Sequence, residues 1–237
     1  GHKIVIVEAA AITRAGETDN APVLCIVNEA GEDISANYAI PTADEMTKGT
    51  LTVYKRDMAI TTAGNENNVH TYDGTAVHIP VIEGDTLVYQ SSSVYDYFDV
   101  ESMGFPSRTN ATSEEGIENA YQTLYIVNQD GEDVTDCYNI VEENFGLIIV
   151  NKRVVKITSG SDSKTYDGKQ FDYKVASVEN IVDGEELALI WDETERIKVK
   201  KDNNGDVIGY ENAFEVDPLA AVNQNYIVGE IHFGTLR

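Results

Sequence analysis

The chain has 237 residues, 42% of them hydrophobic, and carries 41 Asp+Glu against 17 Lys+Arg for a formal net charge of −24. That apolar content supports folded cores rather than disorder. So negative a surface repels phosphate backbones and anionic lipid, which sets aside nucleic acid and bare membrane as partners and leaves cations, basic proteins and neutral glycans. No apolar run reaches the ~18–20 residues of a membrane span, and the length suits two or more units of roughly 100 residues each.

In chain order, Lys3-Ile4-Val5-Ile6-Val7 is β-branched-rich and predicts a strand. The apolar run Val23-Leu24-Cys25-Ile26-Val27 predicts another, in which Cys25 is a small buried hydrophobe. Glu29-Ala30-Gly31 marks a turn, and Thr52-Val53-Tyr54-Lys55 alternates as a strand. Thr71-Tyr72-Asp73-Gly74 suits a tight turn, since Asp bonds the backbone two residues on and Gly accepts positive φ. Ser91-Ser92-Ser93 is a polar loop. Tyr95, Tyr97 and Phe98 in Tyr95-Asp96-Tyr97-Phe98 form a candidate binding patch, with a buried strand edge as the plainer reading. Residues 113–123 are the one stretch that could hold a short helix, weakened by Gly116. Asp136-Cys137-Tyr138 reads as a turn and Leu147-Ile148-Ile149-Val150 as a strand. A second turn, Tyr166-Asp167-Gly168, follows Lys164. Lys198-Val199-Lys200 alternates, and Asp202-Asn203-Asn204-Gly205-Asp206 reads as a hairpin loop rather than a calcium loop, because it lacks a closing bidentate Glu.

These marks repeat. Ile26-Val27-Asn28-Glu29-Ala30-Gly31-Glu32-Asp33-Ile34-Ser35 returns as Ile126-Val127-Asn128-Gln129-Asp130-Gly131-Glu132-Asp133-Val134-Thr135. Tyr38, Tyr138 and Tyr226 correspond, as do Gly49, Gly146 and Gly234. Asp19-Asn20-Ala21, Glu118-Asn119-Ala120 and Glu211-Asn212-Ala213 form a third set. Collinear returns at one-domain spacing predict tandem Ig-like β-sandwich repeats: a partial or shortened β repeat at residues 2–56, a full repeat at 57–152 and a full repeat at 153–237. The Tyr-Asp-Gly residues Tyr72, Asp73, Gly74, Tyr166, Asp167 and Gly168 are expected to be turn and core elements, with both tyrosines packed. Tyr138 and Tyr226 are candidates for a tyrosine corner, the hydroxyl bonding backbone upstream. Residues 51–62 and 148–158 contain no Pro, Gly or Ser, so one repeat should pass into the next without a flexible linker. In the partial repeat, the strand at Lys3 is expected to replace the missing leading strands, with Val5, Val23, Cys25, Val27 and Leu51 buried together.

The run Arg153-Val154-Val155-Lys156-Ile157-Thr158-Ser159-Gly160-Ser161, with Lys164-Thr165-Tyr166-Asp167-Gly168, Gly131-Glu132-Asp133-Val134-Thr135 and Gly146-Leu147-Ile148-Ile149-Val150, resembles the YDG/MBG-type repeats of bacterial cell-surface, adhesin-like proteins. The resemblance implies large, multi-repeat, secreted or cell-wall proteins. The first full copy departs from it in the leading strand, Asp57-Met58-Ala59-Ile60. Surface domains of related appearance can carry a Lys–Asn isopeptide bond, for which Lys156 and Asn225 would be the pair; Ala59 at the position equivalent to Lys156 argues against it.

Nothing assembles a catalytic set. His2, His70, His78 and His232 lie in no motif, the serine run lacks the glycines of a nucleophile elbow, and no CxxC or Cys/His cluster suggests zinc. The sequence therefore reads as a fragment of a longer extracellular protein, with Gly1 as a cleavage scar. Its expected role is a semi-rigid structural or adhesion stalk, not an enzyme, with no cofactor or metal. The alternative is a module that binds a host or matrix glycan or protein through an exposed loop face.

Overall fold

The computed structural model describes residues 1–42, 44–83, 86–88 and 95–237, with backbone alone at 86–88 and Tyr95; the serine loop at 91–93 falls outside them. Strands make up 39% of the chain and helix 4%, so the protein is all-β in the broad sense. The described helical turns are Ser35–Asn37, Thr135–Cys137 and Val222–Asn225, and each runs directly into one of the corresponding tyrosines, Tyr38, Tyr138 and Tyr226. Two compact units are formed: Gly1–Thr61 with Val81–Gly104 and Tyr121–Asn144, and Thr62–Pro80 with Phe105–Ala120 and Phe145–Arg237. Their boundaries differ from those of the sequence repeats.

In the first unit, Lys3–Glu8 pairs antiparallel with Val23–Val27, setting Val5 opposite Cys25, and Gly16–Asn20 pairs with Gly49–Val53. The partial repeat thus supplies its own strand pairs, but its core is thin. Val27 is buried, Val5, Cys25 and Leu51 are half-buried, and Val23 is exposed, against the expectation for that side chain. Ile4, Ile6 and Val7 of this two-stranded sheet are exposed as well.

The full repeats share a pairing scheme that the partial one lacks. Arg56–Thr62, a leading strand, runs parallel to Tyr138–Asn144, with Arg56 opposite Tyr138 and Ile82–Glu83 on its other edge. In the second unit, Arg153–Ser159 runs parallel to Tyr226–His232, with Arg153 opposite Tyr226 and Ala176–Glu179 antiparallel on its other edge. Both parallel pairs slip register once, after Ile140 and after Val228, leaving Val141 and Gly229 as the extra residues of a bulge. Where no leading strand exists, the tyrosine strand does not form: residues 38–42 are not strand, and Tyr38 is 43% exposed against 4% for Tyr138 and 6% for Tyr226.

Two smaller features follow from the same pairing. In the second unit, the buried amide of Asn119 donates to the Ala63 carbonyl at 2.8 Å and the Ile79 carbonyl at 2.7 Å. Asn212 donates to the Gly160 carbonyl at 3.0 Å. Each asparagine thereby ties down the chain just past the end of a leading strand, and its own N–H donates to Gly146 or Gly234. The glycines explain themselves by crowding: a Cβ on Gly146 would lie 2.5 Å from the Ala63 carbonyl carbon, and one on Gly234 2.5 Å from that of Gly160. Gly49 faces no such backbone, and Asn20 is exposed.

Residues 113–123 form no helix. Gly116 takes φ 70° in a turn, and Ile117–Glu118 then pairs antiparallel with Leu147–Ile148. Residues 197–200 are likewise not strand; the Asp202–Asp206 hairpin is closed by a single bridge, Lys201 to Val207, with Gly205 at φ 89°. Because a buried amide that loses its partners leaves carbonyls unsatisfied, Asn119→Ala and Asn212→Ala should each cost about 2 kcal/mol in denaturant unfolding. Asn20→Ala should cost less than about 0.5 kcal/mol, as ordinary surface positions do. Equal effects at all three positions would contradict this account of the clamp.

Candidate functional site at the tyrosine turns

The two Tyr-Asp-Gly turns are built alike. Asp73 Oδ1 accepts the Thr75 N–H at 2.8 Å with Gly74 at φ 82°. Asp167 Oδ1 accepts the Lys169 N–H at 2.9 Å with Gly168 at φ 76°. Both match the turn read from the sequence. A nitrogen-bearing side chain three residues earlier braces each aspartate: His70 Nε2 at 3.0 Å from Asp73 and Lys164 Nζ at 2.9 Å from Asp167. Hydrogen bonds from Thr75 first, then His70, hold the Asp73 carboxyl down to about 2. The Asp167 carboxyl is lowered chiefly by Lys164. His70 and Lys164 thus hold the same bracing position in the two turns.

The tyrosines of these turns part company. Tyr72 is 3% exposed and Tyr166 68%, so the expectation of a packed tyrosine holds for Tyr72 and fails for Tyr166. Tyr72 stands edge-on to Tyr226, ring centroids 5.5 Å apart at 85°, in a core with Val150 and Val155 that Val178, Ile181, Val182 and Leu187 flank. Both phenols donate to one carboxylate, Glu185: Tyr72 to Oε1, and Tyr226 to Oε2 at 2.5 Å. Burial first, and then Glu185, push both hydroxyls up to about 12, so they remain donors at neutral pH.

The surrounding backbone is fixed to the same place. Val150–Asn151 pairs parallel with His70–Thr71, and the Tyr72 N–H donates to the Asn151 carbonyl at 2.8 Å. Only Lys152 separates this strand from Arg153–Ser159. Arg153 donates to the Tyr72 carbonyl at 3.4 Å and through Nη2 to Asn180 at 2.8 Å. Asn225 Oδ1 accepts the Ala111 N–H at 2.9 Å. A turn of the second repeat is thus enclosed by side chains of the third, entirely within the second compact unit.

Glu185 was not legible as a partner, being one of 41 acidic residues with no local motif to single it out. Of the two tyrosine-corner candidates, Tyr226 accepts a backbone N–H, that of Val182 at 3.1 Å, 44 residues upstream. The Tyr138 hydroxyl donates to the Asp96 side chain at 2.6 Å. The aromatic patch is corrected. Side chains alternate along Tyr95–Phe98, so Phe98 is buried with Asp96 while Tyr97 is exposed; the Tyr95 side chain lies outside the described residues.

Among the described residues, no cluster of three or more His, Cys, Asp or Glu is arranged to hold a metal ion. Cys25 and Cys137 are free thiols. Lys156 Nζ stands 3.3 Å from Glu230, and the Asn225 amide donates to Asn110 Oδ1 at 3.3 Å. His78 contacts the Pro106 carbonyl and His232 the Glu230 carboxylate.

Comparison with protein-family models, curated proteins and solved structures returned no match. The two tyrosines provide an internal control. Tyr72→Ala should destabilise the second unit by about 3 kcal/mol, the lower end for emptying a buried aromatic site. Tyr166→Ala should cost less than about 0.5 kcal/mol. Thermal unfolding with matched effects at both positions would contradict the assignment of Tyr72 as the packed partner.

Proposed function

We propose that this chain is a run of Ig-like β-sandwich repeats from a bacterial surface or secreted protein, acting outside the cell as a semi-rigid structural or adhesion stalk. The observation that carries this reading is the enclosed Tyr72 turn. It is held by a ring contact, a shared carboxylate and a parallel strand pair, with a single residue between the last strand of one repeat and the first of the next. A joint of this kind resists bending where a Gly/Ser linker would not. The net charge of −24 adds self-repulsion, which keeps such a protein soluble and its copies apart.

The rival reading, a glycan- or protein-binding loop face, loses support because Phe98 is buried and leaves Tyr97 without it on the surface. Backbone residual dipolar couplings test the joint. Amides of residues 62–80, 105–120 and 153–237 should fit one alignment tensor in the intact chain and separate in Tyr72→Ala. Two tensors in the unmodified chain would refute a stiff joint. A glycan array should give no specific signal, and a reproducible single-glycan hit would favour the rival.

A further inference from the structure

The Tyr72 turn is covered and the Tyr166 turn, of the same sequence and geometry, is bare. Around Tyr166 lies a small open cleft of about 50 Å³ whose walls include Lys164, Phe171, Arg196, Lys198, Lys200 and Tyr210. The cleft gathers five cations, Arg237 among them, in a protein that has 17 in all against 41 acidic residues. It is also ordered. Lys164 Nζ is fixed by Asp167 and the Lys169 carbonyl and sits 5.7 Å over the Phe171 ring, while Lys200 Nζ lies 5.5 Å over the Tyr210 ring. Arg196 is 5% exposed and engaged, its Nη2 3.4 Å from Asp192 Oδ2 and 3.5 Å from the Glu211 carbonyl.

The strand register supplies the second half of the inference. At the covered turn, the strand Val150–Asn151 lies beside His70–Thr71 and leads into the repeat that covers Tyr72. At the bare turn, Asp162 bridges Leu236 in parallel and the Lys164 N–H donates to the Arg237 carbonyl at 3.0 Å. Arg237 therefore occupies the position of Ile149, and polypeptide joined to it would lie along Lys164-Thr165 as Val150–Asn151 lies along His70–Thr71.

We propose that the Tyr166 cleft is a docking site for another repeat of this type, joined in line, which covers the tyrosine and presents a carboxylate to it as Glu185 is presented to Tyr72. This rests on the stalk reading and names the partner of its uncovered turn. The occupant is acidic and apolar together, as the segment from Val178 to Leu187 is at the Tyr72 turn, and the cations of the cleft complement it.

The test extends the full chain by a copy of residues 150–237 placed directly after Arg237. Tyrosine nitration, mapped by mass spectrometry, is compared with the unextended chain. The modification rate of Tyr166 should fall by about tenfold or more, as for a side chain reached only through local opening. Glu185→Gln in the appended copy should restore part of it. Tyr72 serves as the standard, protected in both chains. Unchanged nitration of Tyr166, whether or not the added repeat folds, overturns the proposal. If Tyr72 stays protected in that case, only this inference falls; if Tyr72 is also freely nitrated, the stiff-joint reading falls with it. Protection of Tyr166 by polyglutamate or a uronic-acid oligosaccharide, but not by the added repeat, would assign the cleft to a different acidic occupant and equally overturn the proposal.

Discussion

The parallel pairing of a leading strand with a tyrosine strand is the constraint from which the other features of each full repeat follow. Parallel neighbours cannot be joined by a tight turn, so this contact closes a long stretch of chain. Once closed, it creates a carbonyl for Asn119 or Asn212 to hold and a backbone surface against which only Gly146 or Gly234 fits. The partial repeat behaves as a natural deletion. It keeps Asn20, Tyr38 and Gly49 but has no leading strand, and the asparagine is exposed, the tyrosine 43% exposed and the glycine uncrowded. Three sequence marks that look independent are consequences of one pairing.

The same pairing prepares the joint. Tyr226 begins the tyrosine strand and Val155 lies in the leading strand, so together they form the floor on which Tyr72 rests. Glu185 is held between two phenols, one to each oxygen, which satisfies a carboxylate that apolar side chains partly surround. In so acidic a chain, hydroxyl donors serve where cations are scarce, and the scarce cations are gathered elsewhere, around Tyr166.

What was legible in the sequence was local. Asn28 accepts the N–H groups of Ala30 and Glu32 at 2.9 and 3.0 Å, and Asn128 those of Asp130 and Glu132 at 3.0 and 2.9 Å, so ten residues suffice to specify the turn and it can be recognised twice. The Tyr-Asp-Gly turns follow the same logic. Tyr72 and Tyr166 share their neighbours in sequence and differ wholly in burial, because the partner that decides the matter, Glu185, is 113 residues from Tyr72. The helix expected at residues 113–123 failed for a related reason. Gly116 takes positive φ against the Ile148 backbone, and that crowding belongs to a strand some 30 residues later. In the aromatic cluster the plainer reading of a strand edge fits Phe98, which is buried with Asp96, while Tyr97 on the alternate face is exposed.

The central claim is that leading strand, tyrosine strand and the Tyr72 turn are one cooperative element. Native-state hydrogen exchange tests it directly. Amides of Arg153–Ser159 and Tyr226–His232, together with the Tyr72 amide, should open with a common free energy and a common denaturant dependence, while amides at 38–42 exchange far faster. A leading strand that opens alone, with the tyrosine strand and the Tyr72 amide still protected, would contradict the account.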